Sequence, residues 1–348
     1  MSVNSTSCAT AEGAGTDCAA RAAGPSPTDG QGPAPAPALA SPDTAADDLA
    51  HAIGQYYARS NAPDCNDVGY VAFRIYKRRQ LHRMFARAVA DGGGPADGRP
   101  LRLLDLGGGD GSDLDFVLRW APPDLVRGSE VHLFDGDPDA LRLARRRLAQ
   151  LPVDGHVTAG SVTDPLPYPD RYFDVVICSE VVEHLEHPEH LLVEARRVIR
   201  PGGFLILTTD NEPTLQGRLK RAAKRLLGRH VPTEAERYRA TGERTPLFVA
   251  SVDGRGVPIY GHINVRRTTE WESACRAAGF VVHAFGTYES VRRHSTGASP
   301  LFLARLFLCG WLVARLPVGL GRHFGDTTAL LLRRPPEPVP LGIPPAGG

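Results

Sequence analysis

Cysteine is scarce and unpaired in this sequence. The 348 residues hold 6 of them: Cys8, Cys18, Cys65, Cys178, Cys275 and Cys309, none in a C-x-x-C pair. That excludes a zinc knuckle and a disulfide framework, and fits reduced thiols in a cytoplasmic protein. An excess of one charge is also missing. Lys+Arg is 40 and Asp+Glu is 39, so nothing pulls the whole chain towards nucleic acid or an anionic membrane. The first residues lack the basic start and apolar core of a signal peptide. The least polar stretch, PLFLARLFLCGWLVARLP at 300–317, contains Arg305 and Arg315. At about 1.5 Å per residue it reaches only about 27 Å, short for a bilayer span. Two nucleotide signatures are absent as well. No G-x-x-x-x-G-K-[ST] loop occurs, and the third glycine of a G-x-G-x-x-G turn would fall at Ser112.

The stretch RLLDLGGGDGSDL (Arg102–Leu114) carries the strongest signal that is present. Leu103, Leu104 and Leu106 make an apolar run that reads as a buried parallel strand. Gly107, Gly109 and Gly111 then allow a tight turn and a close approach of the backbone to a ligand. Leu114, Val117 and Leu118 follow at helical spacing. Strand, glycine turn and helix form a nucleotide-binding plan. Asp105, two places before the first glycine, suits a cationic or amine-bearing ligand better than a pyrophosphate.

A second strand, Glu130–Asp135, ends in Asp135-Gly136-Asp137-Pro138. Pro138 suits the first helical position, with Asp137 as N-cap. An acidic residue ending a second strand can accept hydrogen bonds from both ribose hydroxyls. The spacing predicts a third strand over His156–Gly160, a fourth over Val175–Cys178, a helix from Pro188 and a fifth strand over Phe204–Thr208. Ser179, Glu180, Glu183 and His184 come directly after the fourth strand, where ligands sit in open α/β sheets.

The motif D-L-G-G-G-D-G resembles motif I of the class I S-adenosylmethionine-dependent methyltransferases. The segments LPYPDRYFDVVICSEVVEHL and RPGGFLIL are similar to that family too. The resemblance implies an α/β fold: a seven-stranded, mostly parallel, Rossmann-like sheet flanked by helices, with an antiparallel last strand and helical lid insertions. It implies S-adenosyl-L-methionine as cofactor, contacted by Asp105, Gly107, Gly109, Gly111, Asp135, Gly136, Asp137, Ser161, Val162 and Ser179. In relatives the adenine contact just past the third strand is often Asp where this chain has Ser161, and Asp164 could substitute. Methyl transfer by in-line displacement to an O or N nucleophile is expected, with His184, His262 and Glu180 as candidate catalytic residues. Glu180, Glu183 and His184 also resemble the metal triplet of some O-methyltransferases, but the pattern is frequent in relatives without metal, and no metal is expected.

The domain reading is a disordered tail over 1–44, a methyltransferase domain over 45–334 and a Pro-rich tail over 335–348. Within the domain, 45–92 holds lead-in helices, 211–261 a lid insertion and 300–317 an apolar helix. The insertion begins with a basic amphipathic helix in TLQGRLKRAAKRLLGRH, and Glu234–Pro258 reads as loop. Thr269–Glu272 reads as a capping box, Phe280–Phe285 as a strand and Asp326–Arg333 as the last strand. The expected acceptor is a small molecule, lipid or glycoconjugate, with no nucleic acid. Peripheral membrane contact through 215–229 or 300–317 stays open, as do a nucleic-acid methyltransferase and a non-catalytic cofactor-binding protein.

Overall fold

A computed structural model describes residues 68–95, 98–211, 215–230, 232–243, 248–252, 255–259, 262–288, 308, 325 and 327–337. The expected tail over 1–44, the lead-in before Val68 and, apart from Leu308, the apolar segment 300–317 lie outside them, as does the chain after Glu337.

Seven strands form one sheet in the order β3-β2-β1-β4-β5-β9-β8. They are β1 (Arg102–Leu106), β2 (Glu130–Asp135), β3 (Asp154–Ala159), β4 (Phe173–Ser179), β5 (Ile199–Asp210), β8 (Val281–Tyr288) and β9 (Thr327–Arg333). β1 to β5 pair in parallel. β9 runs antiparallel to both β5 and β8. The expected Rossmann-like sheet with a reversed last strand is therefore present.

Alternation along the strands divides the core in two. Leu103, Val131, Leu133, Val175, Ile177 and Ile206 pack with Leu81, Phe85, Leu114, Val117 and Leu141. These last come from α1 (Val68–Ala88), α2 (Ser112–Arg119) and α4 (Pro138–Leu148). Leu104, Leu106, Val176 and Leu205 face the other way, onto Leu191, Leu192, Ala195, Trp271 and Cys275. Those side chains come from α5 (Pro188–Val198) and α8 (Thr268–Ala277). Strands buried on both faces need near-continuous apolar sequence, and β1, β4 and β5 have it.

Asp174 anchors the amino ends of the strands. It is fully buried, accepts two bonds from Arg99 at 2.8 Å each, and is bonded by Arg200 and by the Arg102 backbone N–H at 2.9 Å. A buried carboxylate held by two guanidiniums costs stability if either side is removed.

Several expectations are corrected. β5 starts at Ile199, because Arg200-Pro-Gly-Gly203 continues the strand and Gly202 N–H donates to Arg334 O at 2.9 Å. Within Glu234–Pro258, expected as loop, the described residues include regular structure. α7 (Glu234–Thr241) begins with a Thr233–Glu236 capping box, and β6 (Phe248–Val252) pairs with β7 (Arg255–Ile259) as a hairpin. The cap of α8 sits earlier than Thr269: Glu270 accepts from the Arg267 backbone N–H at 2.8 Å. The short α3 (Pro123–Val126) and the basic α6 (Leu215–Leu226) complete the helices named here. Among the described residues no helix is long and apolar enough to cross a membrane.

Candidate active site

Parallel strands end on one side, so Leu106, Asp135, Ala159, Ser179 and Asp210 bring their following loops to a common edge. The glycine turn after β1 is fixed by β2: Gly107 and Gly108 N–H donate to Phe134 O at 2.8 and 3.3 Å. Gly107 has φ +72°, and a Cβ there would lie 2.5 Å from Val181 Cγ2, in the loop after β4. A Cβ on Gly108 would lie 2.6 Å from the Asp105 carboxylate, so only glycine lets the turn close over that acid.

Asp105 is 3% exposed. Burial, then repulsion from Asp113 and Asp135, pushes its carboxyl up to about 8, against the pull of Lys77. Asp113 is the counterpart: burial would raise it, but Lys77 at 2.5 Å and Arg78 at 2.9 Å hold it down at about 2. Lys77 and Arg78 belong to α1, so the lead-in helix brings cations to the glycine turn.

Asp135 is partly exposed. Its Oδ2 accepts from Gly109 N–H at 2.8 Å and its Oδ1 from Asp137 N–H at 2.9 Å. Burial raises its carboxyl, and the backbone N–H groups of Asp137, Gly109 and Gly136 work against that rise. A carboxylate has about four lone-pair sites, so these N–H groups leave acceptor capacity for a ribose hydroxyl. Gly136 is exposed beside it. Asp137 caps α4, its Oδ1 accepting from Asp139 N–H at 2.9 Å, while its buried Oδ2 has no hydrogen-bond partner. Gly111 is the residue before α2. Past β3, Ser161 shares a 2.7 Å bond with Thr163, with Val162 partly buried beside it, and Asp164 N–H donates to Ser161 O at 3.1 Å.

After β4 the chain is held in an unusual shape. Glu180 has φ +58°, the left-handed region that non-glycine residues seldom occupy. Its N–H donates to Thr208 O at 2.9 Å and its Oε1 accepts from Thr208 Oγ1 at 3.1 Å; Ser179 Oγ lies 2.8 Å from the same hydroxyl. The next turn, Val182–His184, buries Glu183 completely. Glu183 Oε2 accepts from Thr209 Oγ1 at 2.8 Å, while Oε1 has no hydrogen-bond partner. Burial first, and Glu180 second, push this carboxyl up to about 8.

His262 joins the cluster from far along the chain. Ile263 and Asn264 N–H donate to Glu183 O at 3.0 and 2.9 Å, which pins its loop. His262 Nδ1 is bonded to Asp210 Oδ2, and its ring meets the His184 ring edge to face at 4.7 Å. Glu183, His184 and His262 each offer a ligand atom, all within 4.8 Å of one another. Thus His184 and His262 are brought together, with Glu180 acting on the neighbouring Glu183, and Asp105, Gly107, Gly109 and Asp135 gather at the glycine turn. Asp210, Thr208, Thr209, Lys77 and Val181 are additions that sequence reasoning missed. Asp210 had a visible cue, as an acid ending an apolar strand, like Asp135.

A family model described as a methyltransferase domain matches residues 73–284. The ubiquinone/menaquinone biosynthesis C-methyltransferase of Stutzerimonas stutzeri is 29% identical over 170 residues, 47% of this chain and 64% of that protein. Its counterpart in Yersinia pestis is 30% identical over 171 residues, 47% and 65% of the two chains. The chain thus spans just under two thirds of these relatives. Among solved structures, an S-adenosylmethionine-dependent methyltransferase from Mesorhizobium loti aligns with a TM-score of 0.41 at 16% identity, over 67% of this chain and 91% of that one.

Proposed function

Because this chain belongs to the class I S-adenosylmethionine-dependent methyltransferases, we propose that it methylates an acceptor that must first lose a proton, with His262 as the base. The observation that carries this is the His262–Asp210 pair at the carboxyl end of β5. A carboxylate on Nδ1 fixes the ring's orientation and tautomer, so proton exchange with an acceptor falls to Nε2. When bound, the cofactor supplies a methyl group already activated on a sulfonium, which leaves as the neutral thioether. The residues then have two tasks. Asp135 and the turn at Gly107–Gly111 hold the nucleoside, and His262 accepts the acceptor's proton as the new bond forms.

This favours a hydroxyl-bearing acceptor over an amine, since an amine lone pair needs no base. A small molecule, lipid or glycoconjugate hydroxyl fits. So does a ring carbon beside a hydroxyl, which becomes nucleophilic once the hydroxyl is deprotonated, and the curated relatives are named as C-methyltransferases. His262→Asn and Asp210→Asn, assayed for methyl transfer and for cofactor binding in parallel, test the role. Transfer should fall in both with cofactor affinity retained; unchanged transfer would remove the base.

A second reading has its own observation. Glu183 Oε1 lacks a partner, and Glu183, His184 and His262 converge within 4.8 Å. Two imidazoles and one carboxylate suit a borderline divalent ion, with Asp210 and Thr209 orienting the ligands. Such an ion would lower an acceptor hydroxyl's pKa in place of a base. Loss of transfer with a chelator, restored by zinc, manganese or magnesium, would select this reading.

A further inference from the structure

Helix α6 is mounted with its apolar side outward. Leu219, Leu226 and Leu227 are 64%, 88% and 67% exposed, and Ala222 and Ala223 on the same stripe are exposed too. A surface helix ordinarily turns that stripe to the core. Here the polar side is tethered instead. Glu236 of α7, fixed by its capping box, holds Arg225 at 2.7 Å, with Arg221 at 3.9 Å and His230 at 3.3 Å.

The charge around the stripe is all of one sign. Leu215–Arg229 contains Arg218, Lys220, Arg221, Lys224, Arg225 and Arg229, and no Asp or Glu. Lys224, Arg225 and Arg229 are exposed. The whole chain carries a formal net charge of only +1, so this density is local. An outward apolar stripe edged by cations matches a plane that offers hydrocarbon and anions together, which an anionic lipid surface does. A protein groove would have to combine an apolar floor with an acidic rim.

We propose that α6 is an interfacial helix that seats this protein on anionic membrane surfaces. Its leucines enter the headgroup boundary while the basic side chains reach lipid phosphates. α6 follows β5, the strand that ends in Asp210, after only residues 211–214. Docking does not depend on the chemistry proposed above, and its test reads no methyl transfer.

The experiment is co-sedimentation of the full chain with vesicles of phosphatidylcholine alone and of phosphatidylcholine mixed with phosphatidylglycerol. Binding should appear with phosphatidylglycerol and weaken as salt rises. Leu226→Gln with Leu227→Gln should leave the thermal midpoint in place, since both side chains are exposed, and weaken vesicle binding about tenfold or more. Lys224→Glu with Arg229→Glu should remove the preference for phosphatidylglycerol. Failure to pellet with phosphatidylglycerol vesicles overturns the proposal. So does pelleting that the leucine pair leaves unchanged. Self-association or binding to an acidic protein that the leucine pair abolishes, with vesicles unbound, overturns it in favour of a protein partner.

Discussion

Asp135 Oδ2 accepts a hydrogen bond from the Gly109 backbone N–H at 2.8 Å, which makes the end of β2 and the turn after β1 one unit. The same carboxylate holds Asp137 N–H through Oδ1. Asp135→Ala therefore removes the acceptor of two backbone N–H groups along with the proposed ribose contact. We expect cofactor affinity to fall by about 2–4 kcal/mol and the thermal midpoint to drop as well. Asp135→Asn keeps one acceptor oxygen and should lose affinity with a smaller thermal change. Calorimetric titration of both variants separates the two effects, and unchanged affinity in either would place the ribose elsewhere.

Gly107 couples the cofactor turn to the loop after β4. Gly107→Ala would put a Cβ 2.5 Å from Val181 Cγ2 at φ +72°. The clash and the strained backbone together should cost about 2–4 kcal/mol in urea unfolding. Adding Val181→Ala should return part of that, because it relieves the clash and leaves the φ penalty. A fully additive double variant would show that the two loops do not touch.

The acid beneath the turn sets a pH dependence. Asp105 is raised from 3.8 to about 8, so the native state holds a proton that the unfolded chain has released. Its stabilising contribution is complete below the ordinary carboxylate range and is lost as pH rises towards about 8. Glu183, raised from 4.5 to about 8, acts in the same direction. Thermal midpoints of the protein alone should fall across this window, and Asp105→Asn should flatten part of the slope. A cationic cofactor pairs with the ionised form, so its stabilising effect should grow with pH. A midpoint that rises over the window in the wild type would contradict the burial of these acids.

Asp174 tests the other end of the sheet. Asp174→Ala leaves Arg99 and Arg200 facing a void where a fully buried carboxylate stood. Stability should fall by about 3–5 kcal/mol with little change in cofactor affinity per folded molecule. A loss under 1 kcal/mol, on the order of an exposed pair, would mean that the cluster is solvated.

Much of the fold was legible because it depends on local signals. β2 and α5 match their predicted starts because an apolar run and an initial proline mark them. β1 was readable from Leu103, Leu104 and Leu106 with the glycines behind them. The misreadings arose where distant chain decides. The fifth strand was expected over Phe204–Thr208, yet Arg200-Pro-Gly-Gly203 also belongs to β5 because Arg334 and Gly203 pair across the sheet, with Arg334 N–H donating to Gly203 O at 2.9 Å. The capping box at Thr233–Glu236 was a local signal that went unread in a segment without periodicity. His262 was named from its segment, but its partner Asp210 lies 52 residues earlier and meets it only through the fold. The turn that buries Glu183 likewise depends on Thr209 and on the backbone of Ile263, neither of which any spacing rule connects to it.

The most direct measurement of the central claim follows label from methyl-labelled S-adenosylmethionine into an extract of hydroxyl-bearing small molecules and lipids, comparing the wild type with His262→Asn. The wild type should transfer label and form S-adenosylhomocysteine. His262→Asn should bind the cofactor as tightly and transfer on the order of a hundredfold less. Equal transfer by both proteins would contradict the role of the His262–Asp210 pair, and failure of the wild type to bind the cofactor would contradict the site itself.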